Sequence, residues 1–122
     1  MVDLLSGGQF LCCVEEGPPP VLIVAGELDA VTRPALMNAA AQACARGRHP
    51  AFIDASRLRF IDSVGLCAIE RVVERCHRHH RSFPATVIGA SAWIARIFRL
   101  AGVGHLLAVE DDIVDGLAGL AG

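Results

Sequence analysis

The eight residues RFIDSVGL, 59–66, decide how the middle of this chain is read. An apolar run closes at Ile61, an acid and a hydroxyl follow at Asp62 and Ser63, and beyond Gly65 a second apolar pattern begins. Upstream, PAFIDAS (50–56) reads as a strand. Downstream, VGLCAIERVVERCHRHH (64–80) sets Leu66, Ile69, Val73 and Cys76 on one helical face, with Glu70, Arg71, Glu74, Arg75 and Arg78 on the other. RFIDSVGL is therefore a handover from strand to helix. With the helix starting at Val64, Ser63 falls at its N-cap, where a hydroxyl satisfies an unpaired first-turn amide. The same place suits an anion, because free N–H groups and the positive end of the helix dipole face it. Gly65, lacking a side chain, lets another backbone or a phosphate come close. A cap and a modification site are compatible here, and both readings of Ser63 stand.

Moving outward, the strand–helix alternation continues. QFLCCVEE (9–16) reads as a strand and GPPP (17–20) as a turn, since three prolines remove backbone donors. VLIVAGEL (21–28) is a continuous apolar run suited to a strand buried on both faces, which completes an opening hairpin. DAVTRPALMNAAAQACARG (29–47) predicts a helix with Thr32 as N-cap, Pro34 in the first turn and Gly47 at the end. Leu36, Ala40, Ala43 and Cys44 share one of its faces. ATVIGA (85–90) predicts a further strand, and SAWIARIFRLAG (91–102) a helix capped by Ser91 and closed by Gly102. HLLAV (105–109) predicts a fifth strand, and EDDIVDGLAGL (110–120) a last, weak helix with acids in its first turn. The order ββαβαβαβα implies an α/β fold: one domain over 1–122, its sheet mixed but mostly parallel beyond the N-terminal hairpin.

Composition narrows the function. A length of 122 residues suits one domain, and 53% hydrophobic residues provide a core. A formal net charge of −2 gives no electrostatic reason to expect nucleic acid or an anionic membrane as partner. No apolar run approaches the ~18 residues of a membrane-spanning helix. MVDLLSGG lacks the basic region and long apolar stretch of a signal peptide, so the expected location is the cytoplasm. Five cysteines without a C-x-x-C pair read as small, buried, reduced thiols.

Several sites have plainer explanations than chemistry. Asp54 ends a predicted strand as a response-regulator phospho-acceptor does, but all eleven cations are arginine and receivers need a lysine. It is expected to satisfy loop backbone groups instead. His77 and His80 in CHRHHR lack matching ligands at metal spacing and suit the negative end of a helix, so no metal site is expected. Ser63 lacks the G-x-S-x-G elbow of a hydrolase nucleophile, which leaves a small hydrolase as the weakest reading. Trp93 and Phe98 are expected in the core.

FIDSVGL after one strand, with GELDAVTRPAL after another, resembles the STAS domain family, and more closely its stand-alone bacterial anti-sigma factor antagonists. FRLAGVGHLL (98–107) is similar to the family's late helix–turn–strand passage, and the likeness runs from about 9 to 109. The resemblance implies that Ser63 is phosphorylated by a partner anti-sigma factor, itself an ATP-dependent serine kinase. It implies that the unphosphorylated chain binds that partner and frees sigma, that phosphorylation releases it, and that a phosphatase resets the state. Asp29 matches the aspartate of the family's G-E-L-D segment, close to the phosphorylation site. Val64 stands where many members carry a second hydroxyl, which leaves Ser63 the only acceptor in the motif. The expected contact surface is Asp29, Thr32, Asp62, Val64, Gly65 and Leu66 around Ser63, with no catalytic residue and no cofactor. The alternative is a ligand-sensing or scaffold module of the same family in which Ser63 is a helix cap only.

Overall fold

VLIVAGEL becomes β3 (Val21–Leu28), the middle strand of a five-stranded sheet. The computed structural model describes residues 3–4, 10–15, 17–79 and 85–108. In chain order the other strands are β1 (Asp3–Leu4), β2 (Phe10–Glu15), β4 (Phe52–Ile61) and β5 (Thr86–Ile88), and they lie in the sheet in that same order. β1, β2 and β3 pair antiparallel, so the predicted hairpin is present; β3, β4 and β5 run parallel. The parallel strands are joined through α1 (Arg33–Ala45) and α2 (Ser63–His79). Both crossovers step the same way across the sheet, so right-handed connections put both helices on one face, where they touch. α3 (Ala92–Leu100) and a short 3-10 helix (Gly104–Leu106) pack together at the far end.

Burial follows that layering. On β3, Leu22, Val24 and Leu28 are fully buried, while Ile23, Ala25 and Glu27 on the opposite face are half-buried. Phe10 and Cys12 of β2 continue the buried face, and Leu36, Ala40, Leu66, Ile69 and Val72 cover it from α1 and α2. The inward residues predicted for the two helices are thus the ones that pack, apart from Cys44, which is half-buried.

β4 is the main correction to the predicted elements. It was expected over 50–56 and runs instead to Ile61. Its register slips twice against β3: Ile23 faces Asp54 but Ala25 faces Arg57, and Gly26 faces Leu58 but Glu27 faces Phe60. Each slip inserts one extra β4 residue, a bulge that resets which side chains point inward. Ile53, Ala55, Leu58 and Ile61 therefore share the buried face despite spacings of two, three and three. Gly26 stands beside the second bulge with φ +95°, a conformation a side chain would oppose. Asp54 serves the first bulge: its Oδ1 accepts a bond from the Ser56 amide at 2.9 Å, inside the strand and not in a loop.

Three further expectations change. The predicted fifth strand gives the 3-10 helix and one parallel bridge between Leu107 and Val87, which the Ala108 amide extends by donating to the Val87 carbonyl at 2.8 Å. The two-residue edge strand β1 was not foreseen. Phe98 is core, but Trp93 is 62% exposed. The helix expected at 110–120 lies outside the described residues, as does His80. Ser91 caps α3 as predicted, accepting from the Ile94 amide at 3.2 Å.

The thiols differ sharply. Burial pushes the Cys76 thiol up from 9.0 to about 12, with Cys44 adding to the shift and Arg75 opposing it. Cys67, by contrast, is exposed. A native-state labelling experiment at neutral pH is expected to modify Cys67 readily and Cys76 only on unfolding. The sign of the linkage also follows. Below pH 9 both states keep the Cys76 proton; above it the unfolded chain loses that proton first, so stability falls as pH rises from 9 toward 12. Denaturant titrations across that window check it.

Candidate functional site

Leu28 and Ile61 are partners at the ends of β3 and β4, so the loops that follow them leave the sheet side by side. The Asp62 amide donates to the Leu28 carbonyl at 3.3 Å and ties the two exits together. Asp29 and Asp62 each come directly after a paired residue. The pairing thus brings together the two segments that sequence alone held 33 positions apart.

The first loop is built by reciprocal bonds. Asp29 Oδ1 accepts from the amides of Val31 at 2.9 Å and Thr32 at 3.1 Å. In return Thr32 Oγ1 accepts from the Asp29 amide at 2.9 Å and donates to the Glu27 carbonyl at 2.8 Å. The Arg33 amide already reaches the Asp29 carbonyl at 2.8 Å, a helical bond. This is a capping box with the acid at its head and Thr32 at its third position. Thr32 was expected to be the N-cap of α1; its φ of −94° and ψ of −13° are helical and its side chain caps nothing downstream. At 4% exposure, Thr32 braces the loop from within and presents no surface.

The second loop repeats the arrangement and overturns the cap reading of Ser63. Asp62 Oδ1 accepts from the Gly65 amide at 2.9 Å, and the Asp62 carbonyl accepts from Leu66 at 2.9 Å. Asp62 is thus the N-cap and Ser63 the first helical residue, because the helix begins one position earlier than expected. Ser63 is exposed, and its hydroxyl makes no hydrogen bond among the described residues. Asp62→Ala is therefore expected to cost about 1 kcal/mol of stability, the usual worth of such a cap, while Ser63→Ala leaves stability nearly unchanged. Paired urea or thermal melts of the two variants check this.

Gly65 has a different role from the one expected of it. A Cβ there would lie 2.5 Å from the Leu28 carbonyl oxygen and 2.8 Å from Ile61 Cγ1. The close approach is to the chain's own β3, and it lets α2 start hard against the strand ends. Gly65 and Leu66 are both buried, so with Thr32 they support the surface without forming it. What remains available is Ser63, half-buried Val64, and the half-buried acids Asp29 and Asp62. Two apolar residues that were not singled out in the sequence belong to this end of the sheet. Val31 is 73% exposed in the first loop, and Phe60 is exposed near the end of β4. The signal for Val31 was its place inside DAVT, between the two capping residues, where an apolar side chain has no helical face to join.

The electrostatics are mixed. The first-turn amides of α2 favour an anion by roughly 0.3–1 kcal/mol at most exposed sites. Asp62 beside Ser63, and Asp29 from the neighbouring loop, oppose added negative charge. Elsewhere, His77 is exposed, and among the described residues no group of three or more histidine, cysteine or acidic side chains gathers to hold a metal ion. No described helix is long and apolar enough to cross a membrane.

An α/β domain whose β3 and β4 exits carry two acid-capped turns around an exposed serine is the class the geometry defines. The chain belongs to the STAS domain family: the family model "Mlab, STAS domain" matches residues 14–109. Among solved structures it is similar to an anti-sigma factor antagonist from Mycobacterium paratuberculosis, with 27% identity and a TM-score of 0.69. That match covers 93% of this chain and 97% of the other. It also shares the fold of the anti-sigma factor antagonist SpoIIAA in its unphosphorylated form, at 20% identity and TM-score 0.62 over 88% of this chain and 96% of that one. The phosphorylated form of the Bacillus cell fate determinant SpoIIAA aligns at 19% identity and TM-score 0.55, covering 87% and 98%. No curated protein matches the chain.

Proposed function

We propose that the chain is an anti-sigma factor antagonist, a binding protein and not an enzyme, whose affinity for its partner is switched by phosphorylation of Ser63. The partner is an anti-sigma factor with serine kinase activity, and a phosphatase resets the switch. The observation that carries this reading is the division of labour at the start of α2. Asp62 does the capping, which leaves the Ser63 hydroxyl exposed and, among the described residues, unbonded in the first turn. A serine retained only as a cap would make the bond that Asp62 makes, so the scaffold reading loses its account of Ser63. The likeness to the Mycobacterium paratuberculosis antagonist over nearly the whole of both chains supports the same assignment.

Contact falls on Ser63, Val64, Asp29, Asp62 and the exposed Val31, with Thr32, Gly65 and Leu66 holding them in place. Locked loops suit such a surface, because little conformational freedom is lost on binding. The test is a kinase assay with the purified anti-sigma factor and ATP. Phosphate transfer to the wild-type chain, mapped to Ser63 and absent in Ser63→Ala, is the expected result. No transfer, or transfer to another residue, contradicts the switch.

A further inference from the structure

α3 has two apolar faces, and the fold uses one of them. Ile94, Ala95 and Phe98 are buried in the core. On the outward side Trp93 is 62% and Leu100 78% exposed, with half-buried Ile97 between them, so apolar residues stand at i, i+4 and i+7. Arg96 and Arg99 are exposed on the flank of this stripe. The 3-10 helix braces the second of them, since a Cβ at Gly104 would lie 3.1 Å from Arg99 Cγ. From residue 85 to 108 the chain contains no acid at all. An exposed apolar stripe with a purely cationic flank is the mark of a surface that another molecule covers.

The same face lies within reach of Ser63. α3 packs on β4, the strand that leads to that serine. Gly89, just ahead of α3, sits against the first bulge of β4, where a Cβ would lie 3.1 Å from Ser56 Cβ. From Ser56 to Ile61 the strand extends about 16 Å. A standard interface takes about 800 Å² of each partner, a patch about 30 Å across, so one footprint reaches from Ser63 to α3. β4 adds the exposed Arg57 and Arg59. Against these cations stand two half-buried acids of the sheet: Asp54, whose Oδ1 already accepts from the Ser56 amide, and Glu27, beside Phe60.

We infer that the contact with the anti-sigma factor extends from Ser63 along β4 to the outward face of α3, and that the partner covers α3 with an acidic, apolar surface. The inference rests on the reading of the chain as an antagonist of that partner, and adds the chemistry of the partner's surface. A second copy of the chain fits poorly, because a two-fold contact opposes the same patch on both subunits and this one has no acid to answer Arg96 and Arg99. An anionic lipid surface is broad and would also meet Asp29 and Asp62, whereas a protein presents acids only where the arginines stand.

The test is calorimetric titration of the purified anti-sigma factor with each chain. Trp93→Ala, and separately Arg96→Glu with Arg99→Glu, are expected to bind at least about tenfold more weakly than the unaltered chain. Added salt is expected to weaken binding of the unaltered chain but not of the double variant. Arg46→Glu with Arg78→Glu makes the same change of charge at exposed positions by the far ends of α1 and α2, and is expected to bind as the unaltered chain does. Every substituted residue is exposed, so thermal midpoints are expected to stay close to that of the unaltered chain. Undiminished binding by the Trp93 and Arg96 with Arg99 variants, with Ser63→Glu still weakened, overturns the inference and leaves the switch standing. Equal weakening by the Arg46 with Arg78 pair, an effect of net charge alone, also overturns it. So does cosedimentation of the unaltered chain with phosphatidylglycerol vesicles that the Arg96 with Arg99 variant loses, which would make lipid the occupant. Failure of the unaltered chain to bind the anti-sigma factor overturns the antagonist reading, and the inference with it.

Discussion

Ser63→Glu is expected to bind the anti-sigma factor about 100-fold more weakly than the unmodified chain, while Ser63→Ala binds with undiminished affinity. The size follows from where the charge lies. On the free chain an anion at the start of α2 changes the fold little, since the helix end favours it by only about 0.3–1 kcal/mol and Asp29 and Asp62 oppose it. At an interface the same charge is desolvated against a surface fitted to a neutral hydroxyl. A mismatch of that kind costs several kcal/mol, and each 1.4 kcal/mol is roughly tenfold in affinity. A real phosphate carries about −1.5 to −2 charge and acts more strongly than glutamate. Thermal midpoints of the two variants should stay within a few degrees of each other. Calorimetric titration of each variant into the partner reads the difference. Equal affinities contradict the switch.

The largest effect on stability is expected at Gly65. Glycine to alanine inside a helix ordinarily stabilises by about 1 kcal/mol. Here the added methyl meets a backbone carbonyl at 2.5 Å, and a backbone atom cannot rotate aside as a flexible side chain does. Overpacking costs about 1–3 kcal/mol and often more when the backbone must move. The clash wins, and Gly65→Ala is expected to lose about 2 kcal/mol, lowering the melting midpoint by roughly 5–10 °C. It should also weaken partner binding, because displacing α2 from Leu28 separates the two loops. An unchanged or raised midpoint would show that the start of α2 is not held as described.

How much of this could be read in the sequence depends on which physical rule governed each element. The bounds of VLIVAGEL were legible to the residue, because an apolar run set off by a proline turn marks a strand; its expected burial on both faces was not met, since the face of Ile23, Ala25 and Glu27 is only half-buried. The inward faces of α1 and α2 were legible because helical periodicity is uninterrupted there. β4 was not, because two bulges change its period from two to three, and Ile53, Ala55, Leu58 and Ile61 then resemble neither strand nor helix. The caps were misplaced for a related reason. DAVT and DSVG each offer an acid and a hydroxyl within one turn, and either group is chemically able to cap. Only the pairing of Leu28 with Ile61 fixes where each helix starts, and that is a contact between residues far apart in the chain. Trp93 was assigned to the core because a large apolar side chain is usually buried, and periodicity cannot say which of the two apolar faces of α3 meets the sheet. Ser63, Asp29 and Asp62 were legible as a constellation, but their division of labour was not.

That division of labour leads to the most direct test of the central claim. The chain is isolated from its own cells under several growth conditions, and its intact mass is measured with peptide mapping across residues 59–71. The account predicts a fraction heavier by one phosphate, carried on Ser63, that changes with growth condition and fails to bind the anti-sigma factor. Chain that carries no phosphate on Ser63 in any condition would contradict it.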